Sequence, residues 1–413
     1  MGSLLVISPG FLGTLGLLAV AAWAVWVWRR RRLRWRGHLA MIGAATVLTL
    51  LAAADVVNAY YAYLPRVDDV LGVTTWPTLP LAQVGAQVDG AADVPAGARD
   101  EPLVTGAAGS PDGPRPGPRP ESEPSTGPFA GPSIGPSIGL STGAPTHRGP
   151  AARPRRGAVV TVPLRGRTSR FGTHEGLVYL PPQYFTDVRA RFPTVYLLHG
   201  SPGAPIDWYR ANRAADIAVR LADAGKPAIL VAPLMSHDWL DDSECVDRPG
   251  ERVESYLVDD VVPQIDATFR TLARREDRIV AGNSAGGFCA LNLGLRHRDA
   301  FATIVALSGF SRPTHDGGMV ALFGKRPDLA AVIRANDPSR YAASLPPSPT
   351  MRVWLDCGRQ DVDSLRDETA LAPVLRAAGY SVVLQVRGGR HDYGVWRPAL
   401  RDALEWAVPP GSS

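Results

Sequence analysis

A serine at the centre of a Gly-x-Ser-x-Gly pattern is the clearest chemical signal in this sequence. Ser284 lies within residues 282–286, after the strand-like run 278–281 and before a stretch with helical character. A tight strand-to-helix turn between small residues exposes the serine oxygen, as a nucleophile requires. We therefore predict that Ser284 is a nucleophile. The alternative is an ordinary serine at a helix N-terminus.

The same pattern occurs twice more, in a tandem Gly-Pro-Ser-Ile repeat at residues 131–139. That repeat lies in a tract rich in proline and glycine, with no predicted strand before it and no predicted helix after it. The context therefore rejects both of these matches and retains Ser284.

A serine hydroxyl needs a general base, which is itself oriented by a third group. The chain has eight histidines, and His391 is the one that follows the last predicted strand. In an open parallel sheet, active groups gather beyond the carboxyl ends of the strands, in the chain order serine, acid, histidine. We therefore predict His391 as the base, with His315 and then His237 as alternatives in earlier loops.

The orienting acid is expected between the serine and the histidine. Asp361 follows the seventh predicted strand and is predicted to accept a hydrogen bond from His391. Asp363 is the alternative in the same loop. Asp356 is interpreted as a cap of the strand end, and Asp392 would have to fold back to reach the adjacent histidine.

The oxyanion that develops when a serine attacks a carbonyl group needs two N–H donors already in place. One is predicted to be the amide of Ala285, directly after the nucleophile. The other is assigned to the amide of Ser201, in the His-Gly-Ser-Pro-Gly turn after the third predicted strand.

These residues need a framework, and the sequence after residue 157 predicts one. Helical stretches are expected at 208–224, 253–272, 364–378 and 395–406. Short apolar runs, typical of buried strands, are expected at 159–162, 177–180, 194–198, 228–232, 278–281, 303–307, 352–355 and 381–386. Alternating strands and helices indicate a mostly parallel eight-stranded sheet covered on both faces, in one α/β domain over residues 158–413. The first two strands have no helix between them, which favours an antiparallel start.

Residues 1–64 are predicted to form a membrane region. Residues 4–28 carry no charge and are followed by an arginine cluster at 29–36; a second apolar run covers 39–64. Both are long enough for membrane helices. The positive-inside rule then puts the arginines in the cytoplasm and residue 65 onwards outside, in a multi-pass protein of the cell membrane. If the second run is only an interfacial helix, the C-terminal domain lies inside.

Residues 65–157 are predicted to be a disordered Pro/Gly-rich linker that spaces the α/β domain from the membrane. The net charge of +5 comes partly from the arginine cluster and does not indicate nucleic acid. The spacing of Cys245, Cys289 and Cys357 indicates no metal site, and no cofactor is expected. A disulfide among the three cannot be paired from sequence. Cys289 is interpreted as a packed core thiol.

Six segments together resemble the putative esterase family of α/β-hydrolases, which includes esterase D-like enzymes, feruloyl esterases and secreted mycolyltransferases. The resemblance covers residues 159–408 and rests on VYLPPQYF, YLLHGSPG, AGNSAGGFCAL, ALSGF, DCGRQD and GGRHDYGVW, in that order. It implies an α/β-hydrolase fold in which Ser284, Asp361 and His391 form the catalytic triad. The membrane region ahead of such a domain is similar to that of envelope-associated esterases.

The resemblance implies a serine esterase acting on an acyl ester or a glycolipid through an acyl-enzyme. The alternative is an acyltransferase of the mycolyltransferase type. Against it, Asp361 stands where those enzymes use Glu, and Asn283 precedes the nucleophile. A non-catalytic binding module with the hydrolase fold is a third hypothesis. We further expect residues 309–350 to shape the substrate cleft, and Trp208 and Trp239 to line an acyl pocket or pack in the core.

Overall fold

The computed structural model describes residues 9–65, 76, 78–88, 154–238, 241–348 and 350–411. The disorder predicted for the linker concerns mostly residues 66–75 and 89–153, which lie outside the described residues. The Gly-Pro-Ser-Ile repeat and Trp239 also lie outside them.

The α/β domain is built on one large sheet, because short runs of buried apolar residues follow one another along the chain. The sheet has nine strands in the order β1-β2-β3-β5-β4-β8-β9-β10-β11. Their bounds are Thr78–Pro80 (β1), Ala158–Gly166 (β2), Gly172–Leu180 (β3), Thr194–Leu198 (β4), Ile229–Ala232 (β5), Arg278–Asn283 (β8), Thr303–Leu307 (β9), Arg352–Gly358 (β10) and Ser381–Arg387 (β11). A separate two-stranded ribbon joins β6 (Asp247–Arg248) to β7 (Glu251–Arg252).

Strand β3 alone runs against its neighbours β2 and β5, and the remaining pairs of the large sheet are parallel. The predicted mostly parallel sheet with an antiparallel start is therefore confirmed. The eight predicted strands are all present, and β1 is an addition from the segment expected to be linker. Strands β4 and β9 are buried at every position, as central strands covered on both faces must be.

Helices cover both faces of this sheet. The described helices of the domain are Leu81–Val88 (α3), Pro182–Thr186 (α4), Ile206–Arg210 (α5), Ala214–Asp223 (α6), Val253–Ser255 (α7), Val262–Thr268 (α8), Ala285–Arg296 (α9), Gly318–Phe323 (α10), Leu329–Ala335 (α11), Pro338–Tyr341 (α12), Val362–Ala377 (α13) and Tyr393–Ala407 (α14). A π-helical stretch, Tyr256–Val261, joins α7 to α8. One apolar cluster packs α8, α9 and α13 on the first face, and a second packs α5, α6 and α14 on the other. Trp208 is fully buried in the second cluster, so it packs in the core.

Two long helices precede the domain: α1 (Pro9–Arg29) and α2 (Trp35–Tyr61). They pack against each other, and the Trp23 indole donates to the Thr49 hydroxyl at 3.0 Å. Large apolar side chains on both helices, such as Leu17 and Leu50, are more than 60% exposed. Both helices are long and apolar enough to cross a membrane.

The chain passes from α2 directly onto the α/β domain. The Tyr63 hydroxyl donates to Asp207, and the guanidinium of Arg397 donates to the carbonyl of Ala62. Residues 62 and 63 therefore already lie against the domain, before the Pro/Gly-rich segment begins. The linker predicted for residues 65–157 lies mostly outside the described residues and stays a prediction.

Candidate active site

The predicted nucleophile lies on a sharp turn between β8 and α9. Ser284 has φ 57° and ψ −124°, a conformation that costs a residue with a side chain about 1–3 kcal/mol. Glycines make the turn possible, because a Cβ on Gly282 would lie 1.9 Å from the Gly286 carbonyl oxygen. A Cβ on Gly286 would lie 2.0 Å from the carbonyl oxygen of Leu198, at the end of β4. Only glycine therefore allows the strand, the helix and the neighbouring strand to approach so closely.

The structure brings Ser284, His391 and Asp361 together. The Nε2 atom of His391 is 2.8 Å from Ser284 Oγ, and its Nδ1 atom is 2.7 Å from Asp361 Oδ2. His391 lies in the loop between β11 and α14, and Asp361 lies between β10 and α13. The three residues come from different βα connections, and the parallel strands bring those connections to one edge of the sheet.

Asp361 is largely buried, and His391 is about one-third exposed. Burial by itself would raise the pKa of Asp361. The hydrogen bond from His391 and the electrostatic interaction with its ring outweigh that effect and lower the pKa of Asp361 below its usual value. The carboxylate is therefore ionised and can hold His391 with Nδ1 protonated, which leaves Nε2 free to accept the serine proton.

The other acidic residues considered from sequence have different partners. Asp363 is 72% exposed and pairs with Arg366. Asp392 caps α14 by accepting the amides of Gly394 and Val395. The prediction that Asp356 caps a strand end is wrong: its side chain is fully buried within β10 and forms an ion pair with Arg387 at 2.7 Å.

The two alternative histidines also lie elsewhere. The Nδ1 atom of His315 accepts the Gly317 amide at 3.0 Å. The ring of His237 stacks on Phe171 with centroids 4.3 Å apart, and its Nε2 atom lies 3.7 Å from Glu251. Of the three histidines considered as the base from the sequence, His391 is the one whose ring nitrogen lies within hydrogen-bond distance of Ser284 Oγ.

The turn after β4 lies beside the nucleophile. A Cβ on Gly200 would lie 3.3 Å from the Ser284 Cβ, so Gly200 lies beside the strand-to-helix turn that carries Ser284. Ser201 is the next residue in the chain. The buried His199 donates from Nδ1 to the Gly200 carbonyl at 2.8 Å and accepts the Met235 amide on Nε2 at 3.3 Å. Burial lowers the pKa of His199, so the ring is neutral and can make both bonds. Ala285, the other predicted oxyanion donor, is the first residue of α9.

Two aromatic rings next to His391 were not predicted from sequence. Phe310 stacks along the imidazole with centroids 6.0 Å apart, and Trp396 meets it edge-on at 5.0 Å. Phe310 follows β9 by three residues, and Trp396 lies on the first turn of α14. An aromatic residue just beyond the end of β9 was the signal that could have indicated Phe310, whereas Trp396 lies on a helix, away from any strand end.

A second buried carboxyl, Glu368, lies close to Asp361. It accepts the Gly309 amide at 3.0 Å, and complete burial raises its pKa well above the usual value. Burial therefore favours the neutral form of Glu368 beside Asp361.

Cys245 and Cys289 form a disulfide, and Cys357 is a buried free thiol. The interpretation of Cys289 as a packed core thiol is therefore wrong. The disulfide joins the loop after β5 to the second turn of α9, five residues beyond Ser284. Within the described residues, no group of three or more His, Cys, Asp or Glu side chains is placed to hold a metal ion.

Removing this disulfide is expected to destabilise the domain. The bond closes a loop of 44 residues, and the chain-entropy model gives about 4 kcal/mol for such a loop, with a measured range of about 0–5 kcal/mol. The double variant Cys245→Ser/Cys289→Ser should therefore unfold at a temperature several degrees lower than the parent in a calorimetric scan. Reductant should lower the parent to the same temperature and leave the variant unchanged. An equal response of both proteins to reductant would contradict the pairing.

Comparisons with known proteins identify the family of the α/β domain. The putative esterase family matches residues 172–407, more than half of the chain. An uncharacterized protein of Corynebacterium glutamicum is 27% identical over 266 residues, which cover 62% of this chain and 62% of the relative. An esterase of Mycobacterium tuberculosis is 32% identical over 207 residues, which cover 49% of this chain and 43% of the relative. The chain thus spans less than two-thirds of the length of each of these relatives.

Among solved structures, a ferulic acid esterase superposes with a TM-score of 0.54 and 25% identity, covering 60% of this chain and 97% of that enzyme. The similarity therefore coincides with the α/β domain that carries Ser284, Asp361 and His391. The chain belongs to the putative esterase family, and its α/β domain has the fold of carboxylic ester hydrolases.

Proposed function

We propose that this protein is a membrane-anchored serine esterase that hydrolyses carboxylic esters outside the cytoplasm. The observation that carries the proposal is the continuous hydrogen-bonded chain from Ser284 through His391 to the ionised Asp361, with the half-buried Ser284 on a strained turn. A serine in this arrangement can be deprotonated as it attacks, which an isolated hydroxyl at neutral pH cannot.

In the proposed mechanism, Ser284 Oγ attacks the ester carbonyl while His391 Nε2 takes its proton. Asp361 stabilises the imidazolium that forms. The tetrahedral intermediate collapses, His391 returns the proton to the departing alcohol, and the acyl group remains on Ser284. Water then enters with His391 again acting as base, which releases the acid and restores the serine.

The amides of Ala285 and Ser201 are proposed to stabilise the oxyanion of each intermediate. The position of Ala285 at the first turn of α9 supports its role, since amides at a helix N-terminus have no partner one turn earlier in the helix. The contact of Gly200 with Ser284 supports the role of the next amide, that of Ser201. Each such donor typically contributes a hundred- to a thousandfold in rate.

Two features support an extracytoplasmic domain on a membrane anchor. The arginine cluster at residues 29–36 lies where α1 ends and α2 begins, so a hairpin of two spans keeps it in the cytoplasm. The Cys245–Cys289 disulfide supports an oxidising compartment, because thiols in the cytosol are kept reduced.

Protease accessibility checks this orientation. In intact spheroplasts, added protease should remove a tag placed at the C-terminus, while a cytoplasmic marker protein stays protected. Protection of the tag until the cells are lysed would contradict two spans and would favour the second helix lying at the interface.

A fluorophosphonate probe tests the chemistry directly, because it reacts with activated serines. We expect mass spectrometry of the labelled full-length protein to locate the adduct on Ser284, and p-nitrophenyl esters to be hydrolysed at a rate that the probe abolishes. Folded protein that neither labels nor hydrolyses would support a binding module instead. Product analysis with trehalose as an added acceptor separates hydrolysis from acyl transfer, since only a transferase forms the sugar ester.

A further inference from the structure

The chain leaves α2 through a short and well-fixed turn. The Asn58 side chain accepts the Leu64 amide at 2.8 Å and donates to the Leu64 carbonyl at 2.9 Å. The Tyr63 amide bonds to the Asn58 carbonyl at 3.3 Å, and Ala62 takes a left-handed conformation with φ 51°. Tyr63 therefore has a defined position relative to the last turn of α2.

One contact of Tyr63 leads to the proposed oxyanion turn. Its hydroxyl donates to Asp207 Oδ1, and Asp207 Oδ2 accepts the Ala204 amide at 2.8 Å. The turn is compact, since a Cβ on Gly203 would lie 2.5 Å from the Gly200 carbonyl oxygen. Gly200 in turn lies beside Ser284. Tyr63 is therefore linked, through Asp207 and this turn, to the strand-to-helix turn that carries Ser284.

A second contact leads to the histidine loop. The Tyr63 ring meets Tyr393 edge-on with centroids 5.3 Å apart, and Tyr393 meets Trp396 at 4.8 Å. Trp396 lies edge-on to His391. On the same helix, Arg397 bonds to the carbonyl of Ala62, which fastens the backbone beside Tyr63 to α14.

Through these contacts, Tyr63 connects the end of α2 both to the proposed oxyanion turn and to the His391 loop. We infer that Tyr63 is a positioning residue of the active site, which holds the oxyanion turn through Asp207 and the His391 loop through Tyr393. The inference rests on the proposed esterase function and adds to it a residue from outside the family's matched region, residues 172–407. Tyr63 does not touch the reacting atoms; it acts through the two neighbours named.

The chemistry of Tyr63 suits this role. Burial, followed by the nearby Asp207 carboxylate, raises the pKa of Tyr63 above its usual value. The phenol is therefore protonated and remains a donor over the working pH range of such an enzyme. A phenylalanine at this position keeps the ring contact with Tyr393 and loses only the bond to Asp207.

The test uses the full-length protein in lipid nanodiscs, with active sites counted by fluorophosphonate titration. Tyr63→Phe is expected to lower kcat per titrated site about tenfold with KM changed less than twofold, because a small displacement of preorganised groups acts on the transition state. Tyr61→Phe is the matched control: it removes a hydroxyl from the same helix end, where Tyr61 is 48% exposed, and should keep parental values. A merely structural role would lower the melting temperature or the number of titrated sites and leave kcat per site unchanged.

A double-mutant cycle identifies the route. In an Asp207→Ala background the phenol has lost its acceptor, so adding Tyr63→Phe should have no further effect on kcat. Parental kcat in Tyr63→Phe, or full additivity of the two changes, would overturn the inference. If Ser284→Ala were fully active, Ser284 would not be the nucleophile and the proposed mechanism would be wrong. An inactive Ser284→Ala with a fully active Tyr63→Phe would remove only the role of Tyr63.

Discussion

Replacing Ser284 with alanine is expected to lower the turnover of a p-nitrophenyl ester by about a millionfold. The variant keeps the proposed oxyanion donors and the substrate cleft but has no oxygen for His391 to activate. The activity that remains should come from the oxyanion donors and substrate binding alone, which in other triad enzymes accelerate the reaction about 10³–10⁴-fold over water. Single-turnover and steady-state rates should fall together, since acylation itself is lost.

The melting temperature checks that the Ser284→Ala variant is folded. Alanine fits the space of serine, and the backbone strain at this position remains, so the temperature should stay within a few degrees of the parent. Ser381→Ala, at the exposed start of β11, serves as a control serine and should be fully active. Parental hydrolysis by Ser284→Ala would show that another group is the nucleophile.

Replacing Asp361 with asparagine is expected to lower turnover by about ten thousandfold. In the parent, Nδ1 of His391 donates to the Asp361 carboxylate at 2.7 Å. Asparagine has the same shape, but its amide group can donate to Nδ1, which then becomes the acceptor. The ring then carries its proton on Nε2, facing Ser284, and cannot take the proton of the attacking hydroxyl. The loss should appear in kcat across the whole pH range, because it comes from the tautomer and not from a shifted titration.

Asp363→Asn tests which acid orients His391, because the sequence alone left the choice between Asp361 and Asp363 open. Asp363 is 72% exposed, and its ion pair with Arg366 lies on the surface of the protein. Its replacement should leave kcat within about twofold of the parent, because exposed ion pairs contribute little. A large loss in Asp363→Asn together with a mild effect of Asp361→Asn would reverse the assignment.

The sequence predicted the α/β sheet and the proximity of Ser284, His391 and Asp361 for a common physical reason. Buried parallel strands read as short continuous apolar runs, and their carboxyl ends meet at one edge of the sheet. A serine, an acid and a histidine after three different strands are therefore near one another before any contact is known. The catalytic roles of the three residues stay predictions until the variants above are measured.

Other features depend on contacts that leave no local pattern. Tyr63 and its partner Asp207 are 144 residues apart in the sequence, and Arg397 and Ala62 are 335 residues apart. Cys245 lies in an irregular loop, so nothing near it in sequence indicates Cys289 as its partner. Strand β1 has only three residues, too short for alternation or an apolar run to be recognised. Trp208 could not be placed either, since a tryptophan after a strand fits a pocket wall and a core equally well.

The cavity between α2 and the loop that carries His391 bears on where the substrate of the proposed esterase comes from. It measures about 400 Å3 and is lined by Ala59 and Tyr60 on the helix and by residues such as Arg390 and Asp392 beside His391. In the proposed membrane-anchored arrangement, with α2 crossing the bilayer, the short connection from α2 to the domain would hold His391 near the bilayer surface. An ester dissolved in the bulk would have to diffuse to that layer, whereas an amphiphilic ester partitions into it. The rate should then follow the mole fraction of ester in the lipid phase, as it does in interfacial catalysis, and diluting the ester with inert lipid at constant total ester should slow the reaction.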